Sequence, residues 1–494
     1  MEGGDTVGVF ARLVNFVKGV IRRVIPYKNV ETAEHIDSPI DVEMINALDD
    51  WHKLYTNKAT WLGGEEDIRS LNLPALIASE IARQVTLEVK WNITGTETDE
   101  NNAPKMNPRA EYLKAEFDKL MRGIRQKLEQ GCAAGGMTIK PYPKDGHIYF
   151  DFTMDWSLYP VAFGDDGGLT DVVFLNQFME GNTVYTRLER HQKDGNHVKI
   201  TQRAFKSNNK EALGNEISLE SVPQWDTLKP SVLVKDVDGQ MFGWYKVAAA
   251  NSVDVDCPVG ISVFAKARDI IKEADYQYSR MLWEYEGSEL AIDVDPLVLR
   301  PKKGTDGKEM EMPKLKKRLF RAVDMGQDDT YKVFAPPIRD ASLMNGLNQL
   351  FMRIEDTCGL SRGTISDANT EARTATELKI VRQRTYATIH DNQQALEVCL
   401  RDVIRAMDKY ATLYNLAPQG DYEVSFEWDD SILTDMDQQV QERLMLLNAG
   451  IIGKAEFREW YFGETKTQAK EAVESLQAEQ LEGLMLPTVP TEGD

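Results

Sequence analysis

Residues 374–416 read TATELKIVRQRTYATIHDNQQALEVCLRDVIRAMDKYATLYNL, and neither glycine nor proline occurs between Gly363 and Pro418. Nothing in the backbone chemistry of this stretch stops a helix. Thr374 and Glu377 have the spacing of a capping box at its start. Leu378, Val381, Ile389, Leu396, Leu400, Val403, Met407, Tyr410 and Tyr414 recur at helical spacing, with charges on the other faces. The pattern predicts one helix over 374–416, about 60 Å long. That is about twice the width of a small domain, so the helix must bridge domains or subunits. Ahead of it, Ser366 to Arg373 is polar and unpatterned, and another helix is expected over 341–358. Taken alone, this is a helical hairpin that a large enzyme could also contain.

The rest of the chain narrows the choice. Its 494 residues exceed what one core usually serves, so about two to four substructures are expected. No apolar run is long enough to span a bilayer. Val7 to Tyr27 is apolar on one side, but Arg12, Lys18, Arg22 and Arg23 interrupt it, which rules out a signal-peptide core. Such a helix is expected to pack on protein rather than on a membrane. Cys132, Cys257, Cys358 and Cys399 are scattered, with neither disulfide nor zinc spacing, and read as small buried residues in a reducing compartment. The net charge of −21 opposes tight, non-specific nucleic-acid binding. It leaves room for a protein that lets DNA pass without gripping it.

In chain order, residues 1–60 read as helical, with Trp51, Leu54 and Tyr55 as anchors, and Leu73 to Val89 as an amphipathic helix with Pro74 in its first turn. Gly95 to Pro108 is a loop. Arg109 to Gln130 returns to helix, with Gly131 as its C′ residue. From Gly135 the period becomes two. Met137–Tyr142 and His147–Phe152 flank the turn Lys144-Asp145-Gly146, and Leu169–Met179, Thr183–His191 and His197–Phe205 follow. This predicts an antiparallel meander rather than a parallel doubly wound sheet, with His191 and His197 near one another. Lys206 to Val234 reads as irregular. Val253 to Ser262 then leads into a second long helix, Ser262 to Gly287, in which Phe264, Ile271, Tyr278 and Tyr285 repeat every seven residues, as do Ala267, Ala274 and Met281. A β-rich insert follows, with strands expected over Leu290–Arg300 and Tyr331–Phe334. It is too small for an independent core, which points to oligomerisation. Beyond the longest helix come a strand at Tyr422–Trp428, returning to the first half, three helices (433–448, 454–462, 467–484) and an acidic tail.

Motifs with chemistry are sparse. Gly304-Thr-Asp-Gly-Lys308 is too short for a phosphate loop. Neither a His-Glu-x-x-His helix nor a Gly-x-Ser-x-Gly elbow occurs. Asp254/Asp256 and Asp293/Asp295 form Asp-x-Asp pairs that could hold Mg²⁺, although such pairs also arise by chance in an acidic chain. Glu427, Asp429, Asp430, Asp435 and Asp437 lack EF-hand spacing and read as a solvated acidic surface. Against the acidic background stands a basic cluster, Lys302, Lys303, Lys308, Lys314, Lys316, Lys317, Arg318 and Arg321. It is either a solvated hairpin face or a patch for phosphates or an acidic partner.

The order of these parts, together with Val259-Gly-Ile-Ser-Val-Phe-Ala265, Gly359-Leu-Ser-Arg-Gly363 and Thr374-Ala-Thr-Glu-Leu378, resembles the portal proteins of tailed double-stranded DNA bacteriophages, most closely the siphovirus type of Gram-positive hosts. The resemblance covers nearly the whole chain. It implies an α+β portal architecture: wing 1–255, stem helix 256–288, clip 289–340, second stem helix 341–363, tunnel loop 364–373, long wing helix 374–416, wing return strand 417–432, and crown helices with the acidic tail over 433–494. It implies a dodecameric ring (about twelve copies) at one capsid vertex, a virion component assembled in the host cytoplasm. DNA packaging and ejection would run through its channel.

Under that resemblance the tunnel-loop residues facing DNA are Ser366, Asp367, Asn369, Thr370, Glu371 and Arg373. The clip cluster above docks partners. Phe264, Ile271, Tyr278, Met281, Tyr285, Leu347, Phe351 and Ile354 pack between stem helices of neighbouring subunits. The implied partners are further copies of the chain, the passing DNA, the terminase large subunit, a head-completion or adaptor protein, and the scaffolding and major capsid proteins. No membrane, metal or cofactor is implied, and no catalytic residue. The alternatives from other classes are a metal-dependent enzyme using an Asp-x-Asp pair and a scaffold protein without a channel.

Overall fold

The computed structural model divides into two compact units, Met1–Glu371 with Arg384–Trp428, and Ala372–Gln383 with Asp429–Asp494. The described residues are 26–37, 39–63, 67–87, 89–96, 107–288, 291–294, 320–322, 331–334, 337–367, 375–428, 436–462 and 466–484. The N-terminal basic helix expected before Tyr27, the capping residue Thr374 and the acidic tail lie outside them.

The first unit begins with helices α1 (Tyr27–Glu34), α2 (Val42–Tyr55) and α3 (Leu73–Val85). The apolar stripe of α2, Met44, Leu48, Trp51 and Leu54, is buried, as helical spacing requires. Helix α3 stops four residues before the expected Val89. Thr86 turns both its backbone N–H and its hydroxyl onto the Ala82 carbonyl, and the chain then enters strand β1 (Lys90–Gly95). The helix expected over Arg109–Gln130 is two, α4 (Pro108–Met121) and α5 (Ile124–Ala134), broken at Arg122-Gly123. Asn107 caps α4 by accepting from the Ala110 N–H at 2.8 Å. The C-terminal glycine of α5 is Gly135, not Gly131. Gly135 has φ 93°, and a Cβ there would lie 2.5 Å from the Gly260 carbonyl oxygen. Gly131 sits inside α5, close against Met137.

Strands β2 (Gly136–Lys144) and β3 (His147–Met154) form the expected hairpin, with Asp145 and Gly146 both at positive φ. Then come β4 (Leu158–Phe163), β5 (Leu169–Glu180), β6 (Thr183–Asp194), β7 (His197–Ser207), β8 (Asn215–Ile217), β9 (Ser231–Lys235) and β10 (Gly243–Lys246). The expected single meander is in fact two sheets. One is antiparallel β10-β2-β3; the other is six-stranded and antiparallel, β4-β5-β6-β7-β8, with β9 also on β7. A single turn of 3₁₀ helix at Asp155–Ser157 separates them, its Trp156 packed on His52 and Tyr55 with ring centroids 5.0 and 6.1 Å away. The stretch 206–234, read as irregular, supplies β8 and β9, which share the free edge of β7.

A buried charge network joins the two sheets. Lys140 of β2 reaches Glu189 of β6 at 2.8 Å and lies over the Phe174 ring. Arg187 and His191 meet the same carboxylate at 3.1 and 2.8 Å. Burial opposes the charge on Glu189, but Lys140, Arg187 and His191 hold its carboxyl well below the usual range. His191 is buried and its imidazole is pushed downward by desolvation.

Helix α6 (Arg268–Gly287) starts six residues later than expected, after one 3₁₀ turn at Ala265–Ala267. Strands β11 (Ala291–Val294), β12 (Phe320–Ala322) and β13 (Tyr331–Phe334) form a sheet in the order β12-β11-β13. Helix α7 (Asp340–Cys358) follows, and then α8 (Ala375–Leu413), 39 residues long. At its end Asn415 takes φ 50° and the Leu416 N–H bonds the Ala411 carbonyl, a left-handed stop placed before Pro418. From Ile389 onward α8 buries Leu396, Cys399, Leu400, Val403 and Met407 in the main core. Strand β14 (Tyr422–Glu427) returns to the first half as expected, but pairs antiparallel with β1, which the sequence reading left unassigned. All four cysteines are free and buried.

The second unit contains α9 (Met436–Asn448), α10 (Lys454–Phe462) and α11 (Lys466–Leu484), within three residues of the expected bounds. Among the described residues no helix is long and apolar enough to cross a membrane.

Candidate functional site

The antiparallel pair α6 and α7, with the turn 359–367 that leads out of it, is anchored by a series of polar contacts. Its base is tight. Val259, Ile261 and Phe264 are buried, and the Val263 N–H bonds the Cys132 carbonyl at 3.1 Å. Arg268 reaches Asp50 of α2 at 2.6 Å. About two turns on, Asp275 accepts from the Leu71 N–H at 2.8 Å and the Trp61 indole at 2.9 Å. Burial raises its carboxyl above the ordinary carboxylate range, with these two donors opposing the rise. Near the far end, Arg339 meets the Glu284 carboxylate with two nitrogens, at 3.0 and 2.7 Å.

The sevenfold repeat finds its partner inside the chain. Phe264, Ile271, Met281, Leu347 and Ile354 are buried, and Tyr278 and Phe351 are half-buried against the same core. Within the single chain these residues, expected between subunits, lie in the main core, with α7 alongside α6. Tyr285 is the exception, at 41 % exposed. Trp283, at 69 % exposed, and Met344, at 46 %, share the open surface of the pair. The heptad reading missed both because neither falls on the repeat.

At the end of α7, Gly359 takes φ 73° and the Leu360 N–H bonds the Glu355 carbonyl. A Cβ on Gly359 would collide with the Thr388 hydroxyl, which donates to the Gly359 carbonyl at 3.0 Å. Thr385 accepts from the Ser361 N–H at 2.6 Å. Arg362 and Arg384 share the Asp356 carboxylate at 2.8 and 3.0 Å, and Arg362 lowers its pKa most. Glu355, fully buried, accepts from the Ile365 and Ser366 N–H groups and from the Ser366 hydroxyl. The Asp367 N–H bonds Asn348 at 2.8 Å.

Of the six residues expected to face DNA, Ser366 is buried, because its hydroxyl is spent on Glu355. Asp367 is exposed at the end of the turn. Asn369, Thr370, Glu371 and Arg373 lie outside the described residues. So do Lys302, Lys303, Lys308, Lys314, Lys316, Lys317, Arg318 and the side chain of Arg321, whose backbone is in β12.

The metal readings find no support among the described residues. No group of three or more His, Cys, Asp or Glu side chains there could hold an ion. Asp254 turns inward on its own loop, accepting from the Asp256 N–H at 3.1 Å. Asp295 and the side chain of Asp293 lie outside the described residues, as do the acidic side chains expected after Glu427. His191 and His197 are not neighbours. His191 lies opposite Ile200 and faces Glu189, while His197 lies opposite Asp194 and contacts the Asn196 carbonyl.

What the arrangement offers is mechanical: a pair of helices fixed at its base, and a turn fixed at both ends. A family model described as "Phage portal protein, SPP1 Gp6-like" matches residues 178–483, more than half of the chain. No curated protein gives a significant match.

Proposed function

The chain belongs to the SPP1 Gp6-like phage portal proteins, and from that membership we propose that it forms a closed dodecameric ring (about twelve copies) at one capsid vertex. Double-stranded DNA enters through the ring during packaging and leaves through it at ejection. The observation that carries this reading is the family match over 178–483. That range includes α6, the small β insert, α7, the turn after it and α8. In this reading residues 1–255 and 417–432 with the long helix 374–416 are the wing, 256–288 and 341–363 the stem, 289–340 the clip, 364–373 the tunnel loop and 433–494 the crown.

The role is structural rather than enzymatic. ATP hydrolysis falls to the terminase large subunit, which docks on the clip and is later replaced by a head-completion or adaptor protein. The basic clip residues Lys302 to Arg321 suit an acidic surface on those partners. Scaffolding and major capsid proteins place the ring in the shell, in the host cytoplasm. Trp283, Tyr285 and Met344 are apolar groups on the stem pair left for a neighbouring copy. A ring closes because each copy repeats the same heterologous contact. With a net charge of −21 per chain, the ring is acidic, which disfavours fixed contacts with phosphate. Screening over about 8–10 Å confines that field to the channel wall.

Native mass spectrometry with single-particle imaging tests the proposal. The expected result is a particle of about a dozen copies with a central hole. A chain that stays monomeric or dimeric at high concentration, and also with scaffolding protein added, would overturn it.

A further inference from the structure

Helix α1 lies against β6 and β7, and few of its groups hold it there. Val30 is buried, with Ala33 and Ile36 half-buried beside it. The Asn29 side-chain amide donates to the Glu211 carbonyl at 2.9 Å. The Glu34 carboxylate faces two arginines, Arg203 at 3.5 Å and Arg190 at 3.8 Å. Arg203 also donates to the Ala33 carbonyl.

Both arginines already have carboxylate partners within the sheet. Arg190 meets Asp171 with two nitrogens, at 2.9 and 2.7 Å. Arg203 meets Glu216 in the same way, at 2.8 and 2.6 Å. Lifting α1 away therefore leaves neither guanidinium without a counter-charge, which is the step that usually makes such a removal costly. What goes is the burial of Val30, the hydrogen bond at Glu211 and the contacts of Ala33 and Glu34.

The tether is short. His35 to Pro39 join α1 to the buried Ile40. His35 has φ 54°, in the left-handed region that a non-glycine residue enters at a cost, and Pro39 fixes its own φ. Short hinges under strain favour exchange of the element they carry between identical chains. A second copy offers the same seat for Val30, the same carbonyl at 211 and the same two arginines. Exchange thus keeps these contacts of α1 and frees His35 from its turn. It is also directional, because each copy gives α1 to one neighbour and receives it from the other. That is the heterologous form of contact from which a ring closes.

We propose that in the assembled ring α1 of each copy lies against β6 and β7 of the neighbouring copy, whereas in an isolated chain it lies against its own. This rests on the portal reading, which supplies the neighbour.

Cysteine cross-linking reads the exchange. Asn29 and Glu211 are in contact, and the native cysteines are buried, so a short bismaleimide reacts with an introduced pair. Full-length chains carrying both Asn29→Cys and Glu211→Cys are treated as dilute monomers and as rings, with native mass identifying each. On a denaturing gel the monomers are expected to give an internally linked single chain, and the rings a ladder of covalent multimers. Rings are also assembled from equal amounts of Asn29→Cys chains and Glu211→Cys chains, where the pair can be joined only between chains. Covalent dimers at least about tenfold above those from the same chains kept as monomers are expected. Rings that give single-chain products from the double variant and no dimers from the mixture sink the exchange and leave the portal reading standing. If the double variant does not fold, the mixture decides alone. If wild type forms no ring, the portal reading fails and the exchange falls with it.

Discussion

Within the first unit, α8 buries Leu396, Cys399, Leu400, Val403, Ile404, Met407 and Ala411 almost completely. In the second unit, α10 carries Phe457, Trp460, Tyr461 and Phe462 in nine residues and buries none of them. Its rings stack on one another, and Arg443 and Arg458 lie over Trp460 and Phe462 at 4.4 and 4.9 Å. Met445 and Ile451 nearby are 68 % and 70 % exposed. The two units differ less in apolar residues than in what surrounds them. Among the described residues, the first has four sheets and several helices to close over its own stripes. The second has the helices α9, α10 and α11, with Ala469 as its buried apolar residue among the described ones. An apolar surface of that size on a small helical unit calls for cover, and in the proposed ring neighbouring copies supply it.

The largest expected effect lies in the first unit. Phe117 is fully buried on α4, edge-on to Trp91 and Phe426, and so ties α4 to both strands of the β1–β14 pair. Phe117→Ala should cost about 4 kcal/mol in denaturant unfolding. A cost below about 1 kcal/mol would mean that the core of this unit closes without it.

Next comes the network between the two sheets. Lys140→Met leaves Glu189 buried without its closest cation and should cost about 3 kcal/mol. Urea midpoints of the single variant and of the Lys140→Met, Glu189→Leu pair measure this, and the pair should recover part of the loss.

The pH dependence has opposite signs at two buried groups. Burial pushes the Asp155 carboxyl up to about 7 from an ordinary 3.8. Between those values the folded chain holds a proton that the unfolded chain has released. This stabilisation is fully present below pH 3.8 and is lost as pH rises through about 7. Asp155→Asn should remove that slope and leave the variant about 2 kcal/mol more stable than wild type at pH 8, read from melts across pH 5 to 8. His191, lowered by burial from 6.5, acts in the other direction. As pH falls below 6.5 the unfolded chain takes up a proton that the folded one refuses, and stability falls.

The smallest effect sharpens the contrast between the units. Phe462 is 59 % exposed, so Phe462→Ala should change the stability of the isolated chain by no more than about 0.5 kcal/mol. In the proposed ring the same change should raise the protein concentration needed for assembly by about tenfold, measured by mass photometry. Equal effects on isolated and assembled protein would remove the case for cover by neighbours.

Periodicity made much of this fold legible before any contact was known. The long strands β5, β6 and β7 and the two-residue turns between them were readable because alternation and turn chemistry agree there. The helices 340–358, 375–413, 436–448, 454–462 and 466–484 were readable because 3.6-residue spacing persists over several turns. What escaped was short or determined by neighbours. Strands β8 and β9 carry few residues in which to display a period, and β1, β8 and β9 each pair with an edge that another strand offers. The glycine that ends α5 could not be chosen between Gly131 and Gly135 without Gly260 packed against one of them. At the candidate site, the heptad on α6 was visible but its partner was not, and Glu355 looked like any other charge on a helix.

The amino-acid order by itself determined the long helices and the long strands, the absence of a bilayer-length apolar run, and the resemblance to phage portal proteins that the family match bears out. These follow from interactions within a few residues, or from motif order along the chain. Only the tertiary structure decided that the meander is split into two sheets, that most of the heptad residues of α6 lie in the core of their own chain, and that the Ser366 hydroxyl is spent on Glu355. Each of those outcomes depends on which surface arrives from a distant part of the chain. A buried carboxylate or an apolar stripe accepts whichever donor or partner the fold brings to it, and sequence spacing does not encode that arrival.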